Sequence, residues 1–412
     1  MHNYLASNTL NAVSYDIRGP LLREAERLEN EGRSVIRLNI GNPAPYQLNT
    51  PPALLDAIRA HLDEAQGYSD SKGLLSAREA ILAYSEAIGH AKMSIDNIFL
   101  GNGVSELIQL SMQALINVGD EVLIPAPDYP LWSAVVVLCG GRPIYYRCDE
   151  TKGWLPDIDD IRAKTTPKTR ALLIINPNNP TGAVYPKEVL QAIAMHCESH
   201  RLIALSDEIY DQLLFDGHRH IPLSRYINHG LCFTYGGLSK NYRAAGLRSG
   251  WLCVSGTTQY AEELLKGLEL LSSMRLCANV TAQLAIQVAL SDLENAQNLV
   301  QDGGRLHMQR GVVLDRLSAI SGVECMPPQG ALYAFPRLDQ ARYKGITDHQ
   351  FALALLRNEG VLIVPGSSFQ LSTHHHFRIT LLPDTQVLHQ AFDGIERELA
   401  RMGGESRVSS QS

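Results

Sequence analysis

The stretch Ala171-Leu-Leu-Ile-Ile175-Asn-Pro-Asn-Asn179-Pro-Thr-Gly182-Ala-Val-Tyr-Pro186-Lys-Glu-Val189-Leu-Gln-Ala-Ile193-Ala-Met-His-Cys197-Glu-Ser-His200-Arg-Leu202-Ile-Ala-Leu205-Ser-Asp207 opens and closes on uninterrupted apolar runs. Such continuous runs, unlike alternating ones, suit strands covered on both faces. Between them Val189, Leu190, Ile193, Ala194 and Cys197 recur at helical spacing, with Pro186 at the first helical position. The pattern predicts strand, crossover helix over 186–200, and a second strand parallel to the first.

Working outward, similar runs occur at Val122-Leu-Ile124, Leu231-Cys-Phe-Thr234 and Trp251-Leu-Cys-Val254. One predicted helix starts at Pro51-Pro52 with Leu55, Ile58 and Leu62 on one face. Another starts near Asn102, carries Val104, Leu107, Ile108 and Leu115, and ends at Gly119. Ahead of these lie a helix from Pro20 to Glu31, with Gly32 past its end, and a short strand from Val35 to Ile40. Beyond Met308 the order becomes helix, strand (Ala331 to Phe335), helix (His349 to Asn358), strands (Leu362 to Val364, Phe377 to Thr380) and a last helix. The expected fold class is α/β, a three-layer αβα arrangement around a mostly parallel sheet, with a smaller α+β domain. Residues 50–307 are assigned to the large domain and 1–49 plus 308–402 to the small one. The polar, serine-rich segment 403–412 is expected to be a disordered tail.

Composition agrees with two domains: 412 residues at ~150 per domain give two or three. With 45% hydrophobic and 19% charged residues the chain is globular, and a net charge of −7 gives no footprint for nucleic acid. The seven cysteines are odd in number and contain no C-x-x-C pair, so reduced thiols are expected, without a disulfide framework or a metal. No leader pattern begins the chain, and no run approaches the ~18 apolar residues needed to cross a bilayer. A soluble, cytoplasmic protein is the expectation. His374-His-His376 reads as an exposed loop, because three consecutive histidines cannot face one metal from a strand. Gly303-Gly304 reads as a helix break.

The chemistry concentrates in Gly236-Gly-Leu-Ser-Lys240-Asn-Tyr-Arg-Ala-Ala-Gly246-Leu-Arg248-Ser-Gly250-Trp251, which follows a predicted strand. At a strand's carboxyl end a lysine enters the crevice where open α/β sheets bind ligands, and its neutral amine can form a Schiff base. Two further polar clusters share that placement: Asn176-Pro-Asn-Asn179-Pro-Thr-Gly182 and Asp207-Glu-Ile-Tyr210. An aldehyde cofactor on lysine needs such groups: a carboxylate for a ring nitrogen, donors for a phenolate and a cradle for a phosphate.

On these motifs the chain resembles the class I/II, fold-type I pyridoxal-phosphate aminotransferases over nearly its whole length. Within that family it is most similar to bacterial alanine-type (glutamate–pyruvate) aminotransferases. The stretches carrying that likeness are Tyr15-Asp-Ile-Arg-Gly-Pro20, Leu38-Asn-Ile-Gly-Asn-Pro-Ala-Pro45, Gln66-Gly-Tyr-Ser-Asp-Ser-Lys-Gly73, Ala126-Pro-Asp-Tyr-Pro-Leu-Trp132 and Met274-Arg-Leu-Cys-Ala-Asn279.

The resemblance implies a role for each residue. Lys240 would hold the cofactor as an internal aldimine and then move a proton between Cα and C4′. Asp207 would pair with the pyridinium nitrogen, Asn179 and Tyr210 would bond the O3′ phenolate, and Tyr129 would stack on the ring. The amides of Gly103 and Val104, the Ser105 hydroxyl and Arg248 would hold the phosphate. Where the family usually has a serine three residues before the lysine, this chain has Gly237, with Ser239 next to the lysine as the substitute ligand. Tyr68 would reach the phosphate from the partner subunit, and Asn279 would lie in a loop crossing a homodimer interface. Arg378 would clamp the substrate carboxylate, with Asn179 and Gly41 beside it and Tyr15 and Arg18 closing over a small side chain.

The implied activity is ping-pong transfer of an amino group between L-alanine/pyruvate and L-glutamate/2-oxoglutarate. A transaminase for another amino acid, or a non-transaminase of the C–S lyase type on the same fold, is the alternative. Small amino and 2-oxo acids are the expected partners, with no nucleic acid, membrane or metal.

Overall fold

The computed structural model describes residues 4–15 and 19–403; Arg18 and the tail from 404 lie outside the described residues. Helices α1 (Pro20–Asn30), α2 (Pro52–Ala60) and α3 (Leu75–Ala87) and the two-residue strand β1 (Ile36–Arg37) come first. An eight-stranded sheet then forms from β2 (Ile98–Gly101), β3 (Glu121–Ala126), β4 (Arg142–Asp149), β5 (Leu155–Pro156), β6 (Thr169–Ile175), β7 (Ile203–Asp207), β8 (Leu231–Gly237) and β9 (Gly250–Gly256). The spatial order is β2-β9-β8-β7-β6-β3-β4-β5. From β8 through β4 neighbouring strands are parallel, while β9 runs antiparallel to β8 and β2, and β5 antiparallel to β4. The expected mostly parallel three-layer architecture is found.

The continuous apolar run of β6 explains the layering. Ala171, Leu173 and Ile175 pack with α4 (Val104–Leu115) and α5 (Leu131–Leu138), whereas Leu172 and Ile174 pack with α6 (Ile158–Lys164) and α7 (Lys187–His200). Successive side chains of a strand point to opposite faces, so a strand buried on both sides has no polar position. The carboxyl ends of β2, β3, β6, β7 and β8 consequently open on one rim.

The C-terminal half builds another core, in which Val313, Phe351, Leu355, Ile379, Phe392 and Ile395 meet. The chain's beginning joins it. β1 pairs in parallel with Val361–Leu362, and Ala25 and Leu28 of α1 pack on Leu356 and Leu362. Ala296 and Val300 also belong to this core.

Several predicted details differ. The strand expected over 35–40 is reduced to Ile36–Arg37, since only these residues find partners in register on Val361–Leu362. α2 ends at Ala60 with Leu54 buried, and Leu62 lies exposed in a following 3-10 turn. α4 stops at Leu115 because Ile116 takes an extended conformation, short of Gly119. Pro186 is the extended residue capping α7 and not its first helical residue. β2 was not anticipated, being only four residues long, and neither was β4, whose Arg142, Pro143 and Arg147 interrupt its apolar pattern. His376 is not exposed: it stacks on Phe335 with centroids 5.2 Å apart, and its Nε2 lies 3.2 Å from Glu150. The bond to Glu150 lets the imidazole be buried, which the polar surroundings in sequence concealed. Gly303, at φ 76°, and Gly304 do separate two helices.

Because β6 is covered on both faces, Leu173→Ala and Ile174→Ala should each lower the unfolding free energy by ~2–5 kcal/mol. Chemical denaturation reads this; a negligible change at either position contradicts two-sided burial.

Candidate active site

A cavity of about 860 Å³ opens at the rim formed by the strands' carboxyl ends, where open α/β sheets bind ligands. Lys240, Asp207, Tyr210, Asn179, Tyr129, Val104, Ser105, Ser239, Arg248, Arg378, Gly41 and Tyr15 all line it, although they come from across the chain. Tyr68 and Asn279 do not. Both are exposed, Tyr68 at 80%, while the Asn279 amide donates to Asn102 Oδ1 at 2.8 Å.

At one end β2 runs through Asn102 and Gly103 into α4. The Asn102 amide and side chain both donate to the Glu106 carboxylate, at 2.8 and 2.9 Å, which fixes the helix start. Gly103 adopts φ 82°, and a Cβ there would lie 2.3 Å from Arg248 Nη2. Only glycine admits the guanidinium this close to a helix N-terminus. Arg248 donates to the carbonyls of Ala245 and Asn102 at 3.1 and 3.2 Å and faces no carboxylate among the described residues. Arg248, the Ser105 hydroxyl and the Val104 amide at the helix start form a cradle for a phosphate, whereas Gly103 does not line the cavity and its amide donates to the Gly101 carbonyl at 2.7 Å.

In the middle, β7 ends on Asp207. Its carboxylate accepts a hydrogen bond from Trp132 Nε1 at 3.1 Å and a weaker one from the Ile209 amide, and burial pushes its pKa up to about 6. A carboxylate with so little compensation favours a cationic partner, and a protonated ring nitrogen would be one. Lys240, in the turn after β8, extends its Nζ to the Gly41 carbonyl, donating at 2.7 Å. At Gly237 a Cβ would stand 2.9 Å from the Ser249 carbonyl and 3.1 Å from Gly250 Cα, so the backbone entering β9 occupies the room a serine would need.

At the far end Arg378 is only 3% exposed. It donates to Asn179 Oδ1 at 3.0 Å and to the Asn39 carbonyl, and it lies between the rings of Tyr333, at 4.3 Å, and Phe369, at 4.8 Å. Its Nε has no partner, and no acidic side chain pairs with it among the described residues. Burial holds its pKa below the ordinary arginine value without neutralising it. A buried cation so placed calls for an anionic ligand. The Tyr210 and Tyr333 hydroxyls meet at 3.1 Å. Burial opposes ionisation of Tyr333, but Lys240, Arg378 and the Tyr210 bond together hold its pKa below the usual tyrosine value, while burial and Tyr333 push Tyr210 up. Tyr15 hydroxyl lies 3.3 Å from Tyr129 hydroxyl and covers the cavity from the N-terminal segment.

Two residues escaped the sequence reading. Tyr333 belongs to a predicted strand, and its antiparallel pairing with Thr380 puts it beside Arg378, but that pairing is long-range. A Cβ on Gly41 would fall 1.9 Å from its hydroxyl, so the two residues fit only together. Trp132 lies one helical turn past Tyr129, and this spacing was the available signal. Lysine, carboxylate, paired donors and anion cradle together fit a phosphorylated heteroaromatic aldehyde, and Arg378 fits a carboxylate substrate.

A family model described as aminotransferase class I and II matches residues 33–395. Glutamate-pyruvate aminotransferase AlaA of Escherichia coli (strain K12) is 50% identical over 394 residues, 96% of this chain and 97% of its own. Alanine aminotransferase of Mycobacterium tuberculosis (strain ATCC 25618 / H37Rv) is 48% identical over 391 residues, 95% and 91% of the two chains. The crystal structure of an aminotransferase from Escherichia coli superposes with a TM-score of 0.95 at 47% identity, covering 97% and 99%. Alanine aminotransferase from Pyrococcus furiosus gives 0.92 at 34% identity, covering 96% and 100%.

A test follows from Asp207. Since its pKa in the folded cavity is about 6, against an ordinary value of 3.8, the protonated carboxyl favours folding below about pH 4 and that contribution fades as pH rises through about 6. Relative to Asp207→Asn, the cofactor-free parent should lose on the order of 3 kcal/mol across this window. Thermal denaturation of both proteins from pH 4 to 7 measures the difference, and parallel profiles would contradict the assignment.

Proposed function

This chain belongs to the class I and II aminotransferases, and from that premise we propose that it moves an amino group between L-alanine/pyruvate and L-glutamate/2-oxoglutarate, with pyridoxal 5′-phosphate as cofactor. The observation that carries the reading is Arg378: buried, with no acidic partner among the described residues, and sharing one cavity with Lys240. The relatives named for glutamate–pyruvate and alanine transfer, at 48–50% identity, support the choice of substrates.

In this proposal Arg248, Ser105, Ser239 and the Val104 amide hold the cofactor's phosphate, with Gly103 making room for Arg248; Asp207 holds its ring nitrogen, Asn179 and Tyr210 its phenolate oxygen, and Tyr129 its ring face. When bound, the cofactor supplies an electron sink for the substrate α-carbon. The protein's own groups do the rest. Arg378 takes the substrate carboxylate through a planar fork, which fixes the α-carbon before Lys240 Nζ. Lys240 would take the proton from that carbon and deliver it to the cofactor's C4′, so its amine acts as base and then as acid. Since Asn179 Oδ1 is committed to Arg378, its NH2 is what it offers the cofactor. Tyr15 covers the cavity and excludes water over a small side chain. Arg18, three residues on, would act with it.

The proposal includes a homodimer with composite sites, in which Tyr68 and Asn279 complete the partner's cavity. Tyr68, Leu75, Met274 and Leu276 are exposed on the single chain, which supports pairing. We read residues 50–307 as the cofactor-binding domain and 1–49 with 308–402 as the smaller one. The enzyme is assigned to the cytoplasm; no helix among the described residues is long and apolar enough to cross a membrane.

Purified protein given L-alanine and 2-oxoglutarate should form pyruvate and glutamate one for one. Pyruvate release without glutamate would instead indicate elimination chemistry. Arg378→Lys keeps a charge but cannot reach Asn179 and Asn39 together or lie flat between two rings, so kcat/KM for alanine should fall about 100-fold or more. An unchanged value would overturn the role.

A further inference from the structure

Lys240 must be aimed as well as present. The turn carrying it follows β8 and makes few bonds to the sheet beyond Leu238, whose amide donates to the Ser249 carbonyl at 3.1 Å. Its outer side rests instead on a polar cluster outside the cavity. Asp211, four residues past Asp207, accepts a hydrogen bond on one carboxylate oxygen from the Asn241 side-chain amide and on the other from the Tyr84 hydroxyl. Gln212 donates to the Tyr84 hydroxyl at 3.0 Å and to the Tyr242 hydroxyl at 2.9 Å. Asn241, Tyr242, Tyr84 and Gln212 are buried, and Asp211 is partly so. Around them Leu238, Tyr242 and Ala244 of the turn share a hydrophobic core with Ala77, Ile81 and Tyr84 of α3.

None of these residues lines the cavity, yet they bracket the lysine. Asn241 is its neighbour in the chain, and Asp211 is the neighbour of Tyr210, which does line the cavity. The carboxylate thus joins three elements, namely the exit of β7, α3 and the lysine turn. A side chain with two acceptor oxygens suits this junction, because each of two donors from separate elements receives its own oxygen. An amine that must lie within bonding distance of its target needs such support, since a 1 Å misplacement can cost roughly 100-fold.

We propose that Asp211, acting through Asn241 and braced by Tyr84, is a positioning residue that fixes the direction in which Lys240 enters the cavity. The inference rests on Lys240 being the cofactor lysine. It concerns attachment of that cofactor, whichever amino acid is the substrate.

The test compares two ligands of the cofactor-free full-length enzyme. Pyridoxal phosphate condenses with the lysine amine, forming a C=N bond and releasing water. Pyridoxamine phosphate has the same ring and phosphate but no aldehyde, so it never engages the lysine. In Asp211→Ala and in Asn241→Ala the lysine adduct, followed by its absorbance and by borohydride trapping, should form roughly 10- to 100-fold more slowly. Affinity for pyridoxamine phosphate should stay at the parent's value. The exchange Asp211→Asn with Asn241→Asp retains an acceptor for Tyr84 and a donor–acceptor pair across the junction, and should restore the adduct rate. Equal losses for both ligands, with no rescue by the exchange, would reduce Asp211 to a general structural residue and overturn the proposal. Unchanged adduct formation would overturn it as well. A parent enzyme forming no lysine adduct would defeat the cofactor reading itself, an outcome distinct from both.

Discussion

Arg378 is a charged side chain removed from water with no acidic partner among the described residues, and the cavity is organised around that fact. An isolated buried ion is costly, and removal of a partner from a buried pair is among the more damaging changes a protein can suffer. Here the guanidinium is held by dipoles and ring faces in place of an acid: the Asn39 carbonyl, Asn179 Oδ1, and the rings of Tyr333 and Phe369. These supports come from the N-terminal segment, the loop after β6 and the C-terminal core. The N-terminal segment and the C-terminal core therefore both meet the loop after β6 at this side chain.

The remainder of the site follows from keeping charges apart until ligands arrive. Lys240 and Arg248 point their nitrogens at backbone carbonyls, and Asp207 has Trp132 and a backbone amide where a cation would fit. None of the three forms an ion pair among the described residues. Two glycines set the spacing. Gly41 lets the Tyr333 hydroxyl approach the carbonyl that receives Lys240, and Gly103 lets Arg248 reach the start of α4. Preorganised donors with unspent capacity bind anions with little rearrangement, which is what a two-substrate enzyme requires of one cavity.

Sequence made the sheet legible where local patterning suffices. The crossover unit from 171 to 207 and the placement of Asn179, Asp207 and Lys240 at strand ends needed only periodicity and chain order. Arg378 and Arg248 were assigned through resemblance, and the structure brings both to the cavity. Long-range partnerships stayed hidden. Tyr333 reaches Arg378 through antiparallel register with Thr380, Trp132 reaches Asp207 across the sheet, and Asp211 meets Asn241 and Tyr84 from distant segments. The burial of His376 is hidden for the same reason, since Glu150 and Phe335, which accommodate it in the interior, are far away in sequence.

Recognition of a carboxylate by Arg378 can be read in one titration. With the enzyme in its pyridoxamine-phosphate form, calorimetry compares pyruvate with pyruvamide, which keeps the keto group and the size but carries no charge. A charge-assisted, bidentate contact at a buried arginine predicts that the amide binds about 100-fold more weakly, the loss expected when a desolvated charge goes unpaired. Equal affinities would mean that Arg378 is not where the substrate is held.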